Sequence, residues 1–94
     1  MEKINLEFEA VILKEEKGYS SLCIDLDVAS QGESISEAKK MLIEAVEGYL
    51  ETSIEHNLPF LRPVPDEDNP LINEPDSIIE KFKIKSDLNI HTYA

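Results

Sequence analysis

Asp25 and Asp27 are the residues best suited by type and spacing to chemistry. Two carboxylates two positions apart on an extended chain point to the same side. With Glu33 or Glu37 nearby they could hold a divalent cation, as metal-dependent nucleases do. The plainer reading is a pair of solvent-facing acids at a strand bend. Cys23 would need exposure and a neighbouring base to act as a nucleophile. On a strand, opposite the apolar face, it reads instead as a small packed residue. His56 and His91 have no Cys or His at ligand spacing around them, so zinc chemistry is not expected. His56 should fall just past a helix end, where a positive charge suits the dipole. Gly18, Gly32 and Gly48 are isolated and make no phosphate loop. The chain reads as a binding protein with no cofactor rather than as an enzyme.

Charge points the same way. The 94 residues include 20 acidic and 9 basic side chains, a formal net charge of −11. That balance opposes a phosphate backbone and favours a basic protein partner or plain solubility. Asp25, Asp27, Asp66, Glu67 and Asp68 are the candidate partner contacts. Lys81, Lys83 and Lys85 alternate with Phe82 and Ile84. They could touch nucleic acid as a β-ribbon does, but in so acidic a chain they read first as lysines guarding an edge strand. A single cysteine allows no internal disulfide. The N-terminal "MEKINLEFEA" is charged and alternating, unlike a signal peptide. No apolar run approaches ~18 residues, so no membrane span is expected and the cytoplasm is the default compartment.

These residues must be positioned by a small set of elements. "INLEFEAVIL" alternates, with Ile4, Leu6, Phe8, Ala10 and Ile12 on one face, the mark of a half-buried strand. Val11 and Leu13 interrupt the polar face, so the far end should be covered on both sides. "KEEKGY" is a hairpin connection. "YSSLCIDLDV" follows as an antiparallel strand, with Leu22, Ile24 and Leu26 on one face and Cys23, Asp25 and Asp27 on the other. After a bend near Asp25–Asp27, Val28 to Gln31 can form a short third strand. Gly32 then supplies the unusual backbone angle of a sharp exit. Ser34-Ile35-Ser36-Glu37 is a capping box. Ile35, Ala38, Leu42, Ala45, Val46 and Tyr49 recur at three and four, widened by Met41, Leu50 and Ile54. That spacing predicts an amphipathic helix over 35–53.

All five prolines lie between Pro59 and Pro75, so residues 56–77 cannot be a helix interior. This acidic segment reads as an ordered strap or a loose linker, with Phe60, Leu61, Val64, Leu71 and Ile72 available for docking. Residues 78–94 alternate again at Ile79, Phe82, Ile84, Leu88, Ile90 and Tyr93, as one or two strands with a break near Ser86-Asp87. The expected architecture is a single α+β domain over 1–94. It has a β-β-β-α core in 1–55, with a three-stranded antiparallel sheet and one amphipathic helix. The strap and further C-terminal strand follow. Ile4, Leu6, Phe8, Leu22, Ile24 and Leu26 should face the helix.

The stretch from Glu15 to Glu51 resembles the N-terminal domain of HicB-type antitoxins. The resemblance rests on Gly18, Tyr19, Cys23, Asp25, Leu26, Ser30, Gln31, Gly32, Glu33, Ser34, Glu37, Ala38, Glu44 and Ala45. With the first strand it covers about the first 55 residues. Ile24 stands where many members have proline. The resemblance implies a truncated ribonuclease H-like fold: three antiparallel strands, a helix, then another strand. It also implies the antitoxin of a type II toxin–antitoxin pair. Such a protein binds a small basic HicA-type toxin, an mRNA-cleaving ribonuclease, and forms homo-oligomers such as dimers or tetramers. The C-terminal part departs from the family. No helix-turn-helix or ribbon-helix-helix domain is apparent there, and DNA binding is not expected. The alternatives are a stand-alone oligomeric regulatory module and, more distantly, a weak metal-dependent nuclease.

Overall fold

The computed structural model describes residues 2–90, with side chains over 6–86. Four strands, β1 (Glu2–Lys14), β2 (Tyr19–Cys23), β3 (Val28–Gly32) and β4 (Ile78–Ile90), form one antiparallel sheet in the order β3-β2-β1-β4. A single long helix, α1 (Ile35–Glu55), separates β3 from the strap. The architecture is therefore α+β, as the periodicities predict. His91 and Tyr93 lie outside the described residues, as do the side chains of Ile4, Leu88 and Ile90.

The helix starts where its cap requires. The Ser34 hydroxyl accepts from the Glu37 amide at 3.0 Å, and the Glu37 carboxylate accepts from the Glu33 amide at 3.2 Å. Its inward face carries Ala38, Leu42, Val46, Leu50 and Ser53. Of these, Leu42, Val46 and Leu50 meet Phe8, Ala10, Cys23, Leu26 and Ile84 in the core. Met41 does not join the stripe: it is 41% exposed, on the solvent side. Gly32 is needed for a different reason from the one expected. Its φ is not positive. Instead, a β-carbon there would stand 2.5 Å from the Ala38 backbone nitrogen, so glycine lets β3 and the helix start touch. Gly18 does carry a positive φ, 83°, in the β1–β2 hairpin.

One strand expectation is corrected, and of the one or two strands expected after the strap the single one is found. β2 stops at Cys23, and residues 24–27 form a turn. Ala10 pairs with Cys23, and Val11 with Leu22. Cys23 therefore shares the helix-facing side with Ala10 and is wholly buried, while Leu22 belongs to the opposite side. The apparent alternation of Leu22, Ile24 and Leu26 runs across the strand's end, and Leu26 enters the core from the turn. β4 is one strand, paired with β1 straight through Ser86 and Asp87.

The strap is ordered. Its main chain is bound at the β2–β3 turn, with the Val64 amide donating to the Ile24 carbonyl (2.9 Å) and the Arg62 amide to that of Asp25 (3.1 Å). It then forms two 3₁₀ turns, Asp66–Asp68 and Pro75–Ser77, around a four-residue helix, α2 (Pro70–Asn73). Pro70 fits α2 because it stands at its start, where no amide is needed. Val64 and Pro70 are buried, whereas Leu61 and Ile72 stay exposed. Val11 has no exposed surface although it lies on the side of the sheet away from the helix. That side of the sheet is therefore also covered at its far end.

Candidate interaction surface

Asp25 and Asp27 have structural work. Where β2 leaves β1, the Asp25 carboxylate accepts from the Glu9 amide at 2.8 Å, replacing the strand that no longer runs there. Its own carbonyl holds the strap through Arg62. Asp27 has φ 53°, a turn conformation that aspartate tolerates better than most residues. The Arg62 guanidinium donates to the carbonyls of Leu26 and Asp27, both at 3.3 Å, and stacks 5.1 Å from the centre of the Tyr49 ring. Tyr49 in turn donates to the Phe60 carbonyl at 2.8 Å. Arg62 thus ties turn, strap and helix together. No local signal in the sequence announces this, because its partners are main-chain oxygens some 35 positions away.

The Cys23 thiol is sealed in the core. Burial pushes it up to about 11, against the opposing pull of the Leu26 and Asp25 amides, with the Asp25 charge adding to the rise. It is not placed for nucleophilic chemistry. His56 caps the end of α1 and is exposed. Among the described residues, no three His, Cys, Asp or Glu side chains converge as metal ligands.

What the fold assembles is an acidic surface. Glu37, Glu44, Glu51 and Glu55 recur along α1 at spacings that keep them on one side of the helix, and all are exposed. Glu47 and one cation, Lys40, flank the row on the same side. Met41 and Gly48 lie between these acids, and the Gly48 backbone has open space above it. At the helix start the row runs into an open groove of about 850 Å³. Glu15, Glu16, Glu33 and Glu37 line it against a single cation, Lys17, together with Tyr19 and Met41. The signal for this row in the sequence is its spacing at about 100° per residue, which period counting of apolar residues alone does not show.

The other predicted contacts are placed elsewhere. Asp66, Glu67 and Asp68 form an exposed turn of the strap, closed by the Asn73 side-chain Nδ2 donating to the carbonyls of Asp66 and Glu67, both at 2.8 Å. Lys81, Lys83 and Lys85 are exposed on β4, directly opposite Val11, Glu9 and Glu7. Two of the three lysines therefore face a carboxylate across the ladder, which offsets their charge. This is the pattern of an edge strand more than of a phosphate track.

Along the other side of β1 the ladder is incomplete. β2 pairs only with Ala10–Lys14, while β4 pairs along β1 from Glu2 to Leu13. Residues 2–8 and 84–90 thus make a two-stranded ribbon that extends past the four-stranded part. No helix among the described residues is long and apolar enough to cross a membrane. No family model, no curated protein and no solved structure matches this chain.

Proposed function

We infer that this chain is an antitoxin of the HicB type, a cytoplasmic binding protein that neutralises a small basic HicA-type mRNA-cleaving toxin by covering its RNA-binding surface. The observation that carries the reading is the exposed glutamate row of α1, continuous with the acidic groove at its start. A basic ribonuclease surface is complementary to such a face, and complementary charge speeds encounter and selects the partner. The element order supports the family reading, because three antiparallel strands, a helix and a further strand is the order of the truncated ribonuclease H-like domain. Within the resembling stretch, Gly32, Ser34, Glu37 and Ala38 have local reasons to be what they are. They form the close contact and cap that launch the helix. Asp25 and Asp27 hold a turn in this reading, and the toxin meets the helix face instead.

The test is co-expression with a small basic toxin of this class, followed by salt titration of the complex and an mRNA-cleavage assay. The paired reversal Glu44→Lys with Glu51→Lys changes only exposed side chains. It should leave the fold intact and weaken both complex and neutralisation. A complex indifferent to salt and to the reversal would defeat the electrostatic mechanism. If no complex forms with such toxins, the second reading takes over, that of a stand-alone oligomeric module. The unpaired edge of β1 favours that reading.

A further inference from the structure

The unpaired edge of β1 has a direction and a charge pattern. The Ile24 amide donates to the Glu9 carbonyl at 2.8 Å, and the Glu9 amide donates to Asp25 on the same side. Both main-chain groups of Glu9 therefore point toward β2. Main-chain groups alternate sides along a strand, so those of Glu7, Asn5 and Lys3 point the same way. β2 does not reach them, and no strand among the described residues pairs with that edge. A row of unpaired amides and carbonyls is a template for another strand, and a two-stranded ribbon is marginal in water by itself.

We propose that residues 2–8 of β1 pair antiparallel with the same residues of a second copy, about a two-fold axis at Asn5. The register follows from the charge pattern of β1. With Asn5 opposite Asn5, the outward groups of Lys3, Asn5 and Glu7 meet those of Glu7, Asn5 and Lys3 in the other copy. Each cation stands opposite a carboxylate, and Ile4 stands opposite Leu6. Asp25 and Ile24 set the limit of the interface by occupying Glu9. The other free edges do not offer this. A two-fold on β4 about Lys83 would set Lys81 against Lys85 and Lys83 against itself, which like-charge repulsion disfavours. β3 is only five residues long. The product is a sheet continuous through both copies, with the two β1 strands at its centre. The inference does not rest on the toxin reading, since every measurement below is made on this chain alone.

Light scattering on the eluting 94-residue chain should give twice 10.7 kDa. Asn5→Pro removes an outward amide without touching the β1–β4 ladder, and proline is tolerated at such edge positions; it should give a folded monomer by circular dichroism. Lys3→Glu alone and Glu7→Lys alone should each be monomeric, because each sets like charges together. Mixed in equal amounts they should form a heterodimer, each carboxylate again facing a cation. Asn5→Cys should cross-link to itself under mild oxidation, because paired α-carbons at a hydrogen-bonded site lie ~5.5 Å apart, within disulfide reach. The native Cys23 is buried and supplies no background. A monomeric wild type, a dimer that survives Asn5→Pro, singles that do not complement on mixing, or an Asn5→Cys chain that stays uncross-linked would each overturn the proposal. Should Asn5→Pro fail to fold, the cross-link and the mixing experiment decide.

Discussion

Replacing Gly32 by alanine adds one methyl group at a point where the chain has no room. The new β-carbon would lie 2.5 Å from the Ala38 nitrogen, 2.8 Å from the Glu37 carbonyl carbon and 2.9 Å from the Ala38 α-carbon. All three are main-chain atoms, and ordinary contact begins near 3.4 Å, so no side chain can swing aside. Relief requires moving the helix start away from β3. That start is held by the Ser34 and Glu37 caps and by Ala38, which has no exposed surface. Overpacking of this kind costs about 1–3 kcal/mol. The effect is purely steric, because the Gly32 φ is not in the left-handed region. For a domain of this size, ~2 kcal/mol lowers the thermal midpoint by roughly 8–16 °C, and the urea midpoint by on the order of 1 M. Gly48→Ala is the matched control. Nothing lies within 4 Å of its added β-carbon on the exposed side of α1. It should stabilise by about 0.5–1 kcal/mol through helix propensity and a less flexible unfolded chain. The assay is urea unfolding followed by circular dichroism for both variants. A Gly32→Ala protein as stable as the parent would refute the close-contact account of the strand-to-helix junction. Two variants shifting in the same direction would do so equally.

Arg62→Ala should cost about 1–2 kcal/mol through two lost hydrogen bonds and a ring contact, and should speed proteolysis within 59–77; an unchanged cleavage rate would mean Arg62 does not hold the strap. Asp25→Ala leaves the Glu9 amide without its acceptor and should cost about 1–3 kcal/mol, whereas Asp25→Asn keeps an acceptor oxygen and should cost less. Equal midpoints for Asp25→Ala and the parent would return Asp25 to the status of a surface contact. The Cys23 thiol should resist alkylation near neutral pH until the protein is unfolded. Its folded value is raised to about 11 from the ordinary 9.0, so the unfolded chain loses the proton first. The stability Cys23 contributes is whole below pH 9 and is lost as pH rises toward 11. Cys23→Ala should flatten that decline, and an unaltered pH profile in the variant would count against it.

The helix was legible because several local signals agree: a capping box, a period near 3.6 and no proline until Pro59. β1 was legible through its alternation, and the hairpin through Gly18. The face of β2 was misread because Leu22, Ile24 and Leu26 mimic an unbroken strand. The termination comes from Asp25 turning back to the Glu9 amide, a contact with another strand that period counting does not see. The supposed break at Ser86-Asp87 disappears for a similar reason. Pairing with β1 carries β4 across residues that alone would not specify a strand. The acidic surface is half legible in the sequence. Net charge gives its sign, but the carboxylates that stand out by spacing are those near the bend and in the strap, and the row of α1 emerges only from its helical geometry.

The long β1–β4 ladder also sets an order of events in folding. β1 leaves the ribosome before β4, so residues 2–8 have no strand partner until β4 follows, beyond the helix and the strap. The hairpin to β2, then β3 and α1, can assemble from contacts close in sequence. The ladder must wait for the most distant ones, which close slowly because a long loop must be gathered first. During that interval a hydrophobic strand stands unpaired on a nascent chain, the condition under which neighbouring chains misassociate. The kinetic bottleneck of this small protein therefore lies in docking β4, and interrupted synthesis should yield a compact β-β-β-α fragment with a sticky β1.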